Sequence, residues 1–118
     1  MAKENIRPWG RYDIMYEGKI DETEIKVKKI YVNPNQRLSL QSHSKREEYW
    51  VFTQGTGFVH VGGLEKDVSE GDVILIPKGK KHRAGAYGEG LSFIEVATGE
   101  RVVEEDEIRF EDDYGRIE

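Results

Sequence analysis

Gln41 and His43 stand two residues apart in the stretch LSLQSH, and both side chains can bind a metal ion. If this stretch is a β-strand, residues two apart point to the same face, so the amide and the imidazole lie side by side. Glu48 follows after a short polar loop, and His82 comes much later, after a turn with proline and glycine. Strand periodicity does not by itself bring Glu48 and His82 to the first pair. Since a lone strand histidine is more often structural than a ligand, the spacing alone leaves the metal site open.

The elements that must position these residues read as short β-strands. Apolar alternation and short apolar runs predict strands at 24–32, 48–54, 56–61, 72–77 and 91–97. Gly55 between two of them predicts a hairpin, and a slip in the alternation at Lys28 and Lys29 predicts a β-bulge. No long segment has helical periodicity, although one helical turn is expected in the acidic stretch 103–108. The spacing of the turns is typical of sandwiches and barrels, and we predict one all-β domain.

Composition limits the class of protein further. The 118 residues fit a single domain, and 36% hydrophobic with 35% charged residues is typical of a soluble chain. No apolar run approaches the roughly 20 residues that span a bilayer, and no signal-peptide pattern follows Met1. The chain has no cysteine, which excludes disulfides and thiolate ligands. A net charge of −5 disfavours nucleic acid as a partner. We expect a cytoplasmic protein with neither a membrane nor a nucleic-acid partner.

Two longer stretches resemble the two motifs of the cupin family. Residues 35–55 match Gly, five residues, His-x-His, three or four residues, Glu, six residues, Gly, with Asn35 and Gln41 replacing the first glycine and histidine. Residues 71–86 match Gly, five residues, Pro-x-Gly, two residues, His, three residues, Asn, with Ala86 at the last position. The resemblance implies a single cupin barrel, a jelly-roll-like double-stranded β-helix. It implies an arm at about 1–22, a barrel at about 23–98 and a tail at about 99–118. The metal ligands that it implies are Gln41, His43, Glu48 and His82.

A narrower resemblance runs almost end to end. The blocks RPWGRYD (7–13), KVKKIYVNPNQRLSLQSHSKREEYW (26–50) and EEDEIRFEDDYGR (104–116) are similar to the isomerase domain of type II mannose-6-phosphate isomerases. Glutamine is usual at the first ligand position of that family, so the resemblance explains why no second histidine is needed. Tyr49 replaces a histidine of the family pattern and Ala97 a glutamine, and both changes could alter the pocket. The guanylyltransferase half of the bifunctional members has no counterpart in these residues, so we expect no nucleotide-sugar synthesis from them.

The ligand set and the family together imply a reaction. Two imidazoles, a carboxylate and an amide suit one divalent ion with open positions, which can be Zn²⁺, Mn²⁺, Co²⁺, Ni²⁺ or Fe²⁺. The resemblance implies aldose–ketose isomerisation of a sugar phosphate, mannose 6-phosphate to fructose 6-phosphate. The metal stabilises the enediolate as a Lewis acid, and the candidates for the base are an unligated acid such as Glu95 or a metal-bound hydroxide. Arg46, between two of the ligands, is expected to bind phosphate or enediolate through two parallel bonds. Weaker candidates for phosphate binding are Arg37, Lys80, Lys81, Arg83 and Arg109.

Other functions remain open at this point. A cupin without its fused partner can bind sugar phosphates without converting them. His43, Glu48 and His82 alone would also make the triad of an Fe(II) dioxygenase, although Gln41 argues for a fourth ligand. Trp50 is expected in the core, whereas the segments with Trp9 and Tyr114 cover the sandwich or contact a partner, and we expect a homodimer. We interpret His60 as an ordinary strand histidine.

Overall fold

The computed structural model describes residues 5–103 and 106–117, and within them the long elements are all β-strands. The strands are β1 Ile6–Arg7, β2 Gly10–Ile20, β3 Thr23–Val32, β4 Leu40–His43, β5 Arg46–Val61, β6 Leu64–Ser69, β7 Val73–Ile76, β8 His82–Gly99 and β9 Glu107–Glu111. All strand pairings are antiparallel. In the described residues no helix has the length and apolar character that crossing a membrane requires. The prediction of an all-β domain is confirmed.

The nine strands of the described ranges form one curved sheet whose two halves face each other. The first half-sheet has the order β1-β2-β3-β8-β5-β7 and contains the beginning of β5 and the end of β8. The second half-sheet has the order β9-β4-β8-β5-β6 and contains the opposite ends of the same two strands. The inner faces of the two half-sheets enclose the core and a cavity. This is the predicted cupin architecture.

The hairpin predicted at Gly55 is wrong, because β5 continues through this residue and bends there. Its pairing with β8 shifts register on both sides of the glycine, which has a left-handed φ of 85°. At Gly57 a side chain would collide with the carbonyl oxygen of Gly85, so the two long strands approach most closely where the bend occurs. The glycines therefore let one strand serve both half-sheets, and the true hairpin turn follows at 62–63.

The bulge predicted at Lys28 and Lys29 is also wrong. The strand β3 pairs with β8 without a shift along its whole length, and the nearby irregularity lies in β2, between Ile14 and Tyr16. The apolar alternation slips because Lys28 occupies an inward position and is only 6% exposed. A lysine is seldom buried at a core-facing position of a strand, and Lys28 is found there because it faces the cavity rather than the apolar core.

Aromatic side chains fill the core between the half-sheets. Trp50, Phe52 and Phe93 are at most 1% exposed, and the ring centroid of Phe93 lies 4.7 Å from that of Trp50 and 5.0 Å from that of Phe52. Full burial of a large apolar side chain stabilises a fold by about 1.5–3 kcal/mol. The expectation that Trp50 is a core residue agrees with this packing.

The segments expected as an arm and a tail each contribute a strand. The strand β2 pairs with the length of β3, and β9 pairs with β4. Trp9 is buried beside the core, and the hydroxyl of Tyr114 donates a 2.6 Å hydrogen bond to Gln36 Oε1. Both segments therefore cover the sandwich. The helical turn expected at 103–108 falls partly outside the described residues, and β9 already begins at Glu107.

Asn35 shows how the motif tolerates the loss of its glycine. Its φ is 62°, in the left-handed region that asparagine enters more easily than most side chains. Pro34 precedes it, and the amide of Gln36 donates a 3.1 Å hydrogen bond to the carbonyl of Asn33, as in a type II turn.

We expect Asn35→Val to lower the free energy of unfolding by about 1–2 kcal/mol, because a β-branched residue is strained at this φ. Asn35→Gly, which relieves the strain, is the matched control and should stay within about 0.5 kcal/mol of the wild type. Urea unfolding followed by circular dichroism measures both changes. Equal stability of the Val and Gly variants would contradict the strain at this turn.

Candidate metal centre

A cavity between the inner faces collects most of the buried charge of the protein. Alternate residues of β3, β5 and β8 point inward, so Lys28, Glu48 and Glu95 face the cavity while their sequence neighbours face away. Trp9 and Tyr12, both 8% exposed, line the same space and shield it from water. The cavity is therefore a site at which charged groups act in a largely dry environment.

Three of the predicted ligands meet at the base of this cavity. The Nε2 atom of His82 lies 3.9 Å from Glu48 Oε1, and the Nδ1 atom of His43 lies 3.5 Å from Glu48 Oε2. One ligand atom from each residue lies within 4.8 Å of those of the other two, and all three residues are buried. The group joins β4, β5 and β8, which are distant in sequence. It can hold a metal ion.

Gln41, the fourth predicted ligand, lies on the same strand as His43 and lines the cavity. It is the direct partner of His82 where β4 pairs with β8. Strand pairing therefore places the glutamine next to one histidine, and strand alternation places it on the same side as the other. All four residues that the motifs singled out lie together.

The surroundings of these residues fit a bound cation. His43 Nδ1 is buried and has no hydrogen-bond partner within the described part of the chain. Buried polar atoms are normally paired, so this nitrogen is available to bind a metal ion. His82 Nδ1 donates a 2.9 Å hydrogen bond to the carbonyl of Lys80, which leaves Nε2 free to bind a metal. The indole of Trp50 donates to Glu48 Oε1 at 2.9 Å and fixes that carboxylate. Outer partners of this kind are typical of metal centres.

Arg46 lies directly against the candidate ligands. Its Nε and Nη2 atoms are each 2.9 Å from Glu48 Oε2, and Nη2 is 2.9 Å from His43 Nε2. Burial raises the pKa of Glu48, but the charge of Arg46, together with the interactions with the two histidines and the hydrogen bond from Trp50, outweighs burial and brings the pKa down to about 2. Glu48 is consequently a carboxylate at any physiological pH. Burial also lowers the pKa of His82, which favours the neutral imidazole that metals require.

A second carboxylate, Glu95, lies two residues before Ala97 on β8, and Ala97 pairs with Glu48. Burial and the nearby charge of Glu48 raise the pKa of Glu95 to about 8, although Lys28 and Arg46 oppose the shift. Its Oε2 atom is buried without a hydrogen-bond partner among the described residues. Glu95 is also the pairing partner of Lys28. A buried carboxyl group with one unsatisfied oxygen thus stands beside the metal group.

Lys28 and Glu107 are site residues that the sequence did not reveal. Lys28 faces Glu95, and its Nζ lies 4.5 Å from the ring centroid of Tyr12. Glu107 pairs with His43, and its Oε1 lies 3.7 Å from His43 Nε2. The only sequence signal for Lys28 was the slip in apolar alternation. Glu107 could not be distinguished by sequence from the other acidic residues of its segment.

The weaker candidates for phosphate binding fall into two groups. Arg109 lines the cavity, pairs with Gln41 and lies with Nε 2.8 Å from Glu107 Oε2. The others lie outside the cavity wall: Lys80 is exposed, Arg83 Nε donates to the carbonyl of Leu38, Arg37 pairs with Asp113, and Lys81 lies over Phe110. Two further arginines that line the cavity, Arg7 and Arg116, escaped the sequence prediction.

The departures from the family pattern have different positions. Ala97 is fully buried and pairs with Glu48, so its small side chain leaves space beside the metal group. Tyr49 is 40% exposed on the outer face of the first half-sheet and does not contact the cavity. Ala86 packs in the hydrophobic core. His60 lies at the surface beside Glu65, away from the metal group. Of these departures, only Ala97 lies beside the metal group.

Known proteins resemble the chain along nearly its full length. The family described as "Mannose-6-phosphate isomerase C-terminal" matches residues 1–112. The mannose-1-phosphate guanylyltransferase ManC of Salmonella typhimurium is 41% identical over 118 residues, which are 99% of this chain and 24% of that protein. The xanthan biosynthesis protein XanB of Xanthomonas campestris is 40% identical over 111 residues, 93% of this chain and 23% of that protein. The chain thus spans about a quarter of the length of these relatives.

Solved structures support the fold. KdgF from Halomonas sp. superposes with a TM-score of 0.71 at 16% identity, covering 81% of this chain and 84% of that one. A Klebsiella pneumoniae protein described as having a double-stranded beta-helix domain superposes with a TM-score of 0.68 at 19% identity, covering 92% of this chain and 93% of that one. At such identities the likeness concerns architecture alone.

Proposed function

The chain belongs to the mannose-6-phosphate isomerase C-terminal family, and from this premise we propose that it is a metal-dependent isomerase of a phosphorylated hexose. Mannose 6-phosphate, converted to fructose 6-phosphate, is the substrate that the family description favours. The observation that carries the proposal is a buried His, Glu, His group beside a buried carboxyl group with one unsatisfied oxygen, within a cavity whose other charges are mostly positive.

The charge of the cavity favours an anionic substrate. Among the described residues, five basic and three acidic side chains line it, whereas the whole chain has a net charge of −5. The acidic ones are Glu48, Glu95 and Glu107, and the basic ones are Arg7, Lys28, Arg46, Arg109 and Arg116. A divalent ion adds two further positive charges. A cavity that concentrates positive charge in an acidic protein attracts small anions such as a sugar phosphate.

The side chains divide the chemistry among them. Gln41, His43, Glu48 and His82 would hold the ion, which supplies Lewis-acid stabilisation of the enediolate oxygens. In its ionised form, Glu95 takes the proton from C2 of the open-chain aldose through Oε2 and returns it to C1, while the proton of the C2 hydroxyl passes to the oxygen on C1. Trp9 and Tyr12 exclude water, which limits exchange of that proton with solvent. Arg46 holds Glu48 in place and adds positive charge where the enediolate develops.

A coupled assay tests the proposal directly. The protein, loaded in turn with Zn²⁺, Mn²⁺, Co²⁺, Ni²⁺ or Fe²⁺, is given mannose 6-phosphate under nitrogen, and fructose 6-phosphate is measured. We expect turnover with at least one metal, and its loss on chelation and return on metal addition. Binding of the sugar phosphate without conversion by any metal form would indicate a non-catalytic cupin. Oxygen uptake with Fe²⁺ and no isomerisation would indicate a dioxygenase.

Arg109 is expected to bind the phosphate, because it lines the cavity on the strand beside Gln41. Arg109→Ala should raise the KM for mannose 6-phosphate about 10- to 100-fold, as a charge-assisted hydrogen bond contributes about 1.5–3 kcal/mol. The kcat should change far less. Lys80→Ala is the matched control, since Lys80 is a cation outside the cavity, and its KM should stay within about twofold. An equal effect of both substitutions would assign the loss to general charge.

A further inference from the structure

Lys28 is a buried cation that takes no part in the proton transfer between C2 and C1. It lines the cavity and is 6% exposed, and its Nζ lies 4.5 Å from the ring centroid of Tyr12. Lysine is seldom buried to this extent, because removing its charge from water is costly. The aromatic ring offsets part of that cost by attracting the ammonium group. A lysine kept at such a position indicates a role in binding or in chemistry.

Lys28 stands directly beside Glu95, the proposed base. The two residues are pairing partners on β3 and β8, and both line the cavity. Direct partners on one face of an antiparallel pair have Cβ atoms about 4.5–5.5 Å apart. In the cyclic form of an aldohexose, C1 is bonded both to C2 and to the ring oxygen O5. A sugar whose C2 hydrogen contacts Glu95 therefore has its ring oxygen within reach of the neighbouring lysine.

The cyclic form of the sugar poses a chemical demand that Glu95 does not meet. Hexose 6-phosphates are mostly rings in solution, whereas removal of the C2 proton requires the open-chain aldehyde. Opening the ring breaks the bond between C1 and O5 and requires a proton at O5. Trp9 and Tyr12 shield the cavity from water. The proton is therefore better supplied by a side chain than by solvent.

Lys28 is the cation of the cavity that is able to release a proton. The other cations among the described residues that line it are four arginines, and a guanidinium does not lose its proton in proteins. The carboxylate of Glu107 pairs with Arg109, and the remaining acids and the histidine already have tasks. The hydroxyl of Tyr12 accepts a 3.0 Å hydrogen bond from Arg7 Nη2 and still carries a proton, so it is the main alternative donor.

We propose that Lys28 is a catalytic residue that opens the pyranose ring, so that the protein also interconverts the α and β anomers of mannose 6-phosphate. The inference rests on the proposed isomerase function. The ammonium gives a proton to O5 while the bond between C1 and O5 breaks and its electron pair stays on O5. A lone pair of O1 completes the C1–O1 double bond, and the amine then takes the proton from O1, so Lys28 ends in the form in which it began.

A substrate that forms no ring separates ring opening from isomerisation. The 4,5-dideoxy analogue of mannose 6-phosphate keeps the phosphate and the configuration at C2 and C3, but it has no hydroxyl that closes a stable ring on C1. Lys28→Met should lower kcat/KM for mannose 6-phosphate about 100-fold or more, the usual contribution of a general acid, and that for the analogue less than about tenfold. Lys28→Arg keeps the charge beside Glu95 but releases no proton. It should restore the analogue to within about threefold of the wild type and leave the loss with mannose 6-phosphate.

Lys29→Met is the matched control. Lys29 also lies over a tyrosine ring, 5.2 Å from the centroid of Tyr31, but on the outer face of β3, so both substrates should be converted as by the wild type. Equal losses with both substrates in Lys28→Met, or rescue of mannose 6-phosphate turnover by Lys28→Arg, would overturn the inference and leave Lys28 a charge that positions Glu95. A loss confined to mannose 6-phosphate in Tyr12→Phe would overturn it by making the tyrosine the donor. A wild type that converts neither substrate would contradict the isomerase proposal and with it this inference.

Exchange between the anomers measures ring opening without isomerisation. In Glu95→Gln the ring should open and close again on an aldehyde that is not converted. The Zn²⁺-loaded variant should therefore speed the exchange of α- and β-mannose 6-phosphate, measured by magnetisation transfer in ¹³C NMR. Adding Lys28→Met should return the exchange to its rate in buffer. Equal exchange with and without Lys28 would overturn the assignment, as would a Glu95→Gln variant that leaves the rate in buffer unchanged.

Discussion

Glu48→Gln is expected to lower metal affinity more than about 100-fold and to leave less than about 1% of any isomerase turnover, because even outer partners of metal ligands contribute 10- to 100-fold. The substitution keeps the shape of the side chain but removes its charge. The amide oxygen still accepts the 2.9 Å bond from Trp50 Nε1, so the position of residue 48 is kept. What is lost is the one negative ligand among two imidazoles and an amide. Metal analysis of the dialysed protein and the coupled assay measure the two effects.

Two comparisons separate this effect from a general loss of structure. Glu47→Gln makes the same chemical change one residue earlier, on the outer face of β5, and should leave metal content and turnover unchanged. Glu48→Gln removes the carboxylate that Arg46 contacts at 2.9 Å, and breaking a buried ion pair can destabilise the fold by about 3–5 kcal/mol. His82→Ala removes a ligand, keeps the contact of Arg46 with Glu48, and should lose the metal in a protein that remains folded. Full metal occupancy in either ligand variant would contradict the proposed site.

The architecture was predictable where apolar side chains face the core. Strand β3 and the end of β8 alternate or are continuously apolar, and both were found from the sequence. The bend of β5 at Gly55 was not predictable from the sequence, because a glycine that bends a strand has the same sequence signature as one that reverses it. Strand β9 was missed because it lies at a sheet edge and consists mainly of charged residues. The periodicity of apolar residues indicates which residues are buried. Edge strands and strand bends bury few side chains, so this periodicity does not reveal them.

The candidate site was predictable only in part from local rules. The period of two placed Gln41 beside His43, but no local rule brings Glu48 and His82 to them, and that step rested on the spacing of the cupin motifs. Lys28 stayed hidden, because a charged residue in a strand is ordinarily assigned to the surface. Its inward position makes sense only once Glu95, 67 residues later in the chain, is known to pair with it. Pairing between charged residues that are distant in the chain produces no periodic pattern in the sequence.

Glu95→Gln is expected to lower kcat about 10²- to 10⁴-fold, the usual contribution of a general base, with metal content unchanged. The KM should change little, because the amide keeps the shape and the neutral charge of the protonated acid. Glu95 is not among the residues assigned to the metal, so the loss should appear in turnover alone. A matched change at another buried polar residue of the cavity, Ser39→Ala, should lower kcat less than about tenfold.

The same substitution should make the metal-free protein more stable in alkaline solution. The pKa of Glu95 is about 8 in the folded protein and near 4.5 in the unfolded chain, so between these values only the folded state keeps the proton. Stability of the wild type therefore falls as the pH rises from about 4.5 to 8, and it levels off above. Glu95→Gln has no proton to lose, and its stability relative to the wild type should rise across that interval. Urea unfolding at pH 5 and pH 8, after chelation, measures the difference. A variant that loses turnover and gains stability would show that burial raises the basicity of Glu95 and destabilises the fold in doing so. Loss of both turnover and stability would indicate a structural role.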